Sequence, residues 1–69
     1  GNWGDYKFLK NTQGVCELRI HTKGGLRIYF GLDNKTLIIL LLGGNKTSQD
    51  EDIKKAKKYW KIYKEKNNE

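Results

Sequence analysis

The chain has 69 residues, enough for one domain, 1–69, and at this length folding buries only about 60% of the surface of the unfolded chain. Fourteen lysines and arginines against eight acidic residues give a net charge of +6. This charge favours a polyanionic partner such as RNA, DNA or an acidic protein, although a basic surface that only keeps the protein in solution is the alternative.

The single cysteine, Cys16, excludes an intrachain disulfide. A lone thiol without a Cys/His cluster is typical of a reducing compartment, so we expect a cytoplasmic protein with no metal and no cofactor. No apolar run approaches the ~20 residues of a membrane helix, and we expect no membrane association.

The first half of the chain predicts a short strand followed by a hairpin. Residues 1–15 show no clear period, and we expect a loop-like entry with a short strand near residues 6–9. Residues 16–22 and 26–30 alternate apolar and polar side chains, which predicts two strands with one apolar and one polar face.

The alternation also constrains how the two strands pair. Residues directly opposite in an antiparallel ladder lie on the same face. A three-residue loop, 23–25, keeps polar residues opposite polar ones and suits the glycines there. This register sets His21 opposite Arg27 and Arg19 opposite Tyr29. It predicts a compact polar patch on one sheet face, with Lys46 at its rim, formed by Arg19, His21, Arg27 and Tyr29.

A turn is predicted at residues 31–35, and the apolar run at 37–42 then indicates a central strand buried on both faces. A helix follows, with Ser48 and Glu51 as a capping box. One apolar stripe along it is expected to pack on a sheet face, and consists of Ile53, Ala56, Trp60 and Tyr63. The predicted fold class is α+β, an antiparallel β-meander packed by a C-terminal α-helix.

The polar patch supports two interpretations. One is an ordinary solvated sheet face. The other is RNA cleavage by 2′-hydroxyl attack. This reaction needs an acid or base to transfer protons and cations that stabilise the developing phosphorane. His21 could transfer protons, Tyr29 could orient a phosphate or base, and Arg19, Arg27 and Lys46 could hold phosphate oxygens. With one histidine in the chain, a two-histidine mechanism is excluded. We expect Cys16 to be a small, partly buried thiol rather than a nucleophile.

The basic face of the helix also has two interpretations. It is either a solubilising surface or a contact for RNA phosphates. In the second case the phosphate-binding residues are Lys23, Lys54, Lys57, Lys58 and Lys61. Trp60 and Tyr63 are expected in the core, with base stacking as the alternative.

Five segments follow one another along the chain: GNWGD at 1–5, ELRIH at 17–21, RIYF at 27–30, TLIILLLGGNKTSQ at 36–49 and DIKKA at 52–56. This ordered set resembles the RelE/ParE toxin superfamily, specifically the phage-derived addiction-module killer proteins of the HigB-like branch. The resemblance implies the toxin of a type II toxin-antitoxin system, paired with a cognate antitoxin, that acts as an endoribonuclease on mRNA at the ribosome and inhibits translation. It places Arg19, His21, Arg27 and Lys46 at the positions of the basic residues that function in the endonuclease branch of the family.

Members of that superfamily usually carry a strand and a helical hairpin ahead of the segment at 1–5, where this sequence starts. We therefore expect an N-terminally truncated RelE-like domain with one uncovered sheet face, open to homodimerisation. Two alternatives to an active toxin stay open. They are a non-catalytic remnant that binds RNA or the antitoxin, and a ParE-like gyrase inhibitor.

Overall fold

A computed structural model of the chain describes residues 5–21, 25–44 and 46–67, with the side chains of Asp5 and Asn67 excepted. Its elements are β1 (Asp5–Phe8), β2 (Val15–Ile20), β3 (Leu26–Asp33), β4 (Thr36–Gly43), a 3₁₀ turn (Lys46–Ser48) and α1 (Gln49–Asn67). The strands form one antiparallel sheet in chain order, β1-β2-β3-β4. The predicted α+β meander with a C-terminal helix is confirmed.

The second turn is shorter than predicted. Strand β3 continues through Asp33, and Asp33 pairs with Thr36 across a two-residue connection. Asn34 has a positive φ of 57°, which its short polar side chain tolerates in a turn. The predicted bounds of this turn, 31–35, are therefore wrong, because a tight turn at 34–35 leaves residues 31–33 free to pair.

The register of the β2–β3 hairpin is shifted by two residues from the prediction. Arg19 lies opposite Arg27, and Tyr29 lies opposite Glu17. The connection after Ile20 is five residues long; Gly25 has a φ of 72°, and residues 22–24 lie outside the described part. A shift of two keeps every side chain on its predicted face, so face parity alone could not distinguish the two registers.

Helix α1 covers the sheet face that carries the polar residues. The buried core between them consists of Val15, Tyr29, Ala56 and Trp60. Gly31 makes room for the indole, since a Cβ there would lie 2.5 Å from Trp60 Cζ3. The expected core position of Trp60 is confirmed. The interpretation of this polar face as an ordinary solvated sheet face is wrong, because α1 covers it and buries Arg27 and Tyr29.

Strand β4 lies at the edge of the sheet. Ile39 and Leu42 are 60% and 63% exposed, so the prediction of a central strand buried on both faces is wrong. A bulge opposite the Tyr29–Phe30 step inserts one extra residue into β4. Both Leu40 and Leu41 consequently pack against the core.

The other sheet face is open and apolar. A shallow groove of about 170 Å³ on it is lined by Tyr6, Phe30, Leu32 and Leu37. Homodimerisation through this face stays a prediction. Nowhere in the described ranges is there a helix with the length and apolar character needed to cross a membrane.

Candidate functional site

Polar side chains meet at one end of the sheet. The end of β2, the start of β3 and the end of β4 coincide there, because antiparallel neighbours reverse direction. Arg19, Arg27 and Gly43 form one row across these strands, and α1 begins six residues after Gly43. We call this region the cationic end, defined by Arg19, His21, Arg27 and Lys46.

The centre of the cationic end is a buried ion pair. Arg27 Nε lies 3.8 Å from Glu17 Oε2, and the two side chains are 9% and 3% exposed. The first residue of α1, Gln49, donates from Nε2 to Glu17 Oε2 at 2.8 Å. Arg27 also donates from Nη1 to the carbonyl oxygen of Gly44 at 3.4 Å. The pair therefore ties the start of the helix to the middle of the sheet.

Tyr29 lies beside this pair with its hydroxyl enclosed. The residue is fully buried, and Tyr29 Oη has no hydrogen-bond partner among the described residues. Burial raises the pKa of Tyr29 far above its usual value, and the carboxylates of Glu17 and Asp52 raise it further against the opposing charge of Arg27. The phenol is therefore neutral at physiological pH and cannot serve as a base.

Gly43 and Asp52 close the site from the helix side. Ser48 Oγ donates to Asp52 Oδ2 at 2.8 Å. A Cβ at Gly43 would lie 2.7 Å from Tyr29 Cε2 and 2.8 Å from Asp52 Oδ2. A glycine at this position lets the helix carboxylate and the tyrosine ring both lie close to the backbone of β4.

The structure divides the predicted catalytic residues into two groups. Arg19, His21 and Lys46 are exposed, whereas Arg27 and Tyr29 are buried beneath α1. An open patch of four residues is therefore not present, because the helix packs on the polar face rather than on the apolar one. The catalytic assignment itself stays a prediction for each of the five residues.

The predicted phosphate-binding lysines also separate. Lys54, Lys57, Lys58 and Lys61 are all exposed on α1. Lys54 pairs with Glu51 at 3.7 Å. Lys23 lies outside the described residues. Binding of phosphate by these residues stays a prediction.

Sequence reasoning missed Glu17, Gln49 and Asp52 as members of the site. Glu17 was visible as the one acidic residue on the polar face of β2, and the correct register would have set it beside Arg27 and Tyr29. Gln49 and Asp52 approach only because the helix crosses that face, which no local pattern indicates.

Cys16 is buried within β2, and burial raises the pKa of its thiol. The thiol was predicted to be partly buried and is fully buried, and its raised pKa disfavours the nucleophilic thiolate. Within the described ranges, no group of three or more His, Cys, Asp or Glu residues could hold a metal ion.

Comparison with known proteins gives the family. Residues 5–64 match the family described as "Phage derived protein Gp49-like (DUF891)". The chain belongs to this family. It is 49% identical over 57 residues to a protein of Haemophilus influenzae described as "Uncharacterized protein". That alignment covers 83% of this chain and 56% of the relative, so the chain spans little more than half of the relative's length. No solved structure matches the chain.

Proposed function

We propose that this Gp49-like protein is the toxin of a type II toxin-antitoxin system, similar to the HigB-like branch of RelE/ParE proteins, and that it cleaves mRNA on the ribosome. One observation carries the proposal. At the cationic end, exposed Arg19, His21 and Lys46 belong to the strand ends and the turn that flank a buried arginine, Arg27, paired with Glu17.

The charge balance at this end favours an anionic ligand. Arg19 and Arg27 lie directly opposite each other, an arrangement that is unfavourable for two like charges. Glu17 offsets the charge of Arg27. Arg19 has no ion pair in the described ranges, and the residue opposite it in β1 is Asp5, whose side chain lies outside them. A phosphate beside Arg19 would offset the remaining charge, and Lys46 would add a second cation from the turn before α1.

The proposed roles follow from burial. His21 is the acid or base, because it is the only histidine and is exposed. Arg19 and Lys46 hold phosphate oxygens. Arg27 and Tyr29 are positioning residues, since α1 shields them from a substrate. A cognate antitoxin is proposed as the protein partner, and mRNA on the ribosome as the substrate.

Cleavage of mRNA by purified protein on translating ribosomes tests the proposal, with primer extension mapping the cuts. We expect specific cuts that His21→Ala, Arg19→Ala and Lys46→Ala each reduce by about 100-fold or more, the scale of lost acid–base and electrostatic catalysis. Lys35→Ala, an exposed lysine at the opposite end of β4, is the matched control and should cut normally.

Circular dichroism and a cooperative melt establish that each variant is folded. Intact mRNA after incubation with the folded chain, and also with its longer Haemophilus influenzae relative, would exclude the endonuclease.

A non-catalytic module that binds RNA or an antitoxin is the second candidate. The burial of Arg27 and Tyr29 favours it, because these residues cannot reach a substrate beneath α1. It predicts salt-sensitive binding that survives His21→Ala and Tyr29→Ala but weakens with Arg19→Ala, the exposed arginine. Salt-independent binding would exclude it.

A further inference from the structure

A polar depression lies away from the cationic end, between the β1–β2 loop and one flank of α1. It is a cleft of about 500 Å³, which we call the basic cleft. Its walls are formed by Asn11, Thr12, Gln13, Lys57, Lys58, Trp60 and Lys61. No residue in this lining is acidic.

The loop wall of the basic cleft is fixed by its own hydrogen bonds. The buried Thr12 hydroxyl donates to Leu9 O at 2.6 Å and accepts from Val15 N at 3.1 Å. Leu9 N also donates to Val15 O at 2.9 Å. Asn11 and Gln13 have positive φ values of 60° and 62°, so the loop turns sharply and presents polar side chains outward.

The same loop is fastened to the helix. Trp60 Nε1 donates to Gln13 O at 2.9 Å, and Lys64 Nζ lies 3.4 Å from that oxygen and 3.3 Å from Gln13 Oε1. Lys64 Nζ also lies 5.3 Å from the centroid of the Trp60 ring. Both walls are therefore held at a set separation before any ligand arrives.

The charge inside the cleft is uncompensated. Lys57 and Lys58 lie four and three residues before Lys61, spacings at which like charges on a helix surface repel each other. None of the three forms an ion pair in the described ranges, whereas Lys54, one turn earlier and outside the cleft, has Glu51. Bound anionic groups would relieve this repulsion.

We propose that the basic cleft binds the phosphodiester backbone of single-stranded RNA, an inference that rests on the proposed RNA-directed function. Lysines one helical turn, about 5.4 Å, apart suit a chain of repeating phosphates. The exposed side-chain amide of Asn11 supplies a hydrogen-bonding group beside the lysines.

The cleft is a second contact on the same strand rather than part of the cationic end. Lys57 and Lys61 lie eight and twelve residues beyond Gln49, about 12 and 18 Å along the helix axis. A single strand that starts at the cationic end can therefore follow α1 into the basic cleft.

Fluorescence anisotropy with a labelled, 2′-O-methylated single-stranded RNA tests the inference. The methyl group blocks cleavage, so binding is measured separately from catalysis. The cleft variant is Lys57→Gln/Lys58→Gln/Lys61→Gln. The control variant, Lys35→Gln/Lys55→Gln/Lys66→Gln, removes three other exposed lysines and changes the net charge equally.

We expect the cleft variant to raise Kd by about 100-fold at 0.1 M salt and to lower the slope of log K against log salt by about 2, as for three lost phosphate contacts. The control variant should change Kd by less than about threefold, because scattered charges make no defined contact. Equal losses in both variants, or stronger competition by polyglutamate than by RNA of the same charge, would overturn the inference. RNA bound in the cleft by a protein that cuts no mRNA would support the inference and refute the endonuclease.

Discussion

The two faces of the sheet pack in opposite ways. The face beneath α1 carries the Glu17–Arg27 ion pair, yet it forms the buried core with Tyr29 and Trp60. The open face is almost wholly apolar, yet Phe8 and Ile39 on it are 62% and 60% exposed. The burial of a face in this fold is therefore not set by its hydrophobicity alone.

Shape explains the difference. The covered face has glycines at 31 and 43, where a Cβ would collide with Trp60 and Tyr29. These gaps let a helix with a large aromatic residue approach the strands, and the core then closes around the indole. Glu17 and Arg27 are stabilised on that face because Gln49 donates a hydrogen bond to Glu17 and the Gly44 carbonyl accepts one from Arg27.

Truncating one aromatic residue on each face tests how much each face contributes to stability. Trp60→Ala should lower the free energy of unfolding by about 3–5 kcal/mol, the usual cost of deleting a buried indole. Phe8→Ala should cost less than about 1 kcal/mol, because the ring is mostly exposed already. Urea denaturation followed by circular dichroism measures both.

The control for these two variants is to measure the unfolding midpoint at several protein concentrations. If a second copy covers the open face, Phe8→Ala will cost as much as a core truncation, and the unfolding midpoint will rise with concentration. A concentration-independent midpoint with a small effect of Phe8→Ala would exclude the homodimer.

A smaller effect is expected at the glycines that end β4. Gly43→Ala should destabilise the protein by about 1–3 kcal/mol, because the added methyl group overlaps Tyr29 and Asp52. Gly44→Ala is the matched control, since its Cβ would meet only Ser48 Oγ at 3.9 Å. Similar losses for the two variants, measured by urea denaturation, would show that the close approach at Gly43 is unimportant.

The smallest effect at neutral pH is expected for Tyr29→Phe. Removing a buried hydroxyl without a described partner should change stability by less than about 1 kcal/mol. Above pH ~10, the ordinary tyrosine pKa, unfolding lets Tyr29 ionise, so the native protein loses stability as pH rises towards the raised folded-state pKa.

Tyr29→Phe should therefore shift the alkaline unfolding transition to higher pH, whereas Tyr59→Phe, which alters an exposed ring, should not. Unfolding midpoints recorded by circular dichroism between neutral and alkaline pH give the comparison. An unchanged alkaline transition in Tyr29→Phe would show that this phenol is accessible in the native state.

Local patterns in the chain predicted most of the secondary structure. The alternation of apolar and polar residues predicted β2 and the start of β3, and the apolar run at 37–42 predicted β4. The apolar stripe through Ala56 and Trp60 predicted the side of α1 that packs on the sheet. These succeeded because each depends on neighbours within a few residues, where the periods of strand and helix are fixed by backbone geometry.

Tertiary packing decided the pairing register and the face that the helix covers. Face parity is unchanged by a two-residue slip, so it could not choose Arg27 over Tyr29 as the partner of Arg19. The covered face followed from the fit of Trp60 over Gly31, a contact between residues 29 positions apart. That fit buried Arg27 and Tyr29 and left Arg19, His21 and Lys46 exposed, because a helix packs where its largest side chain finds space.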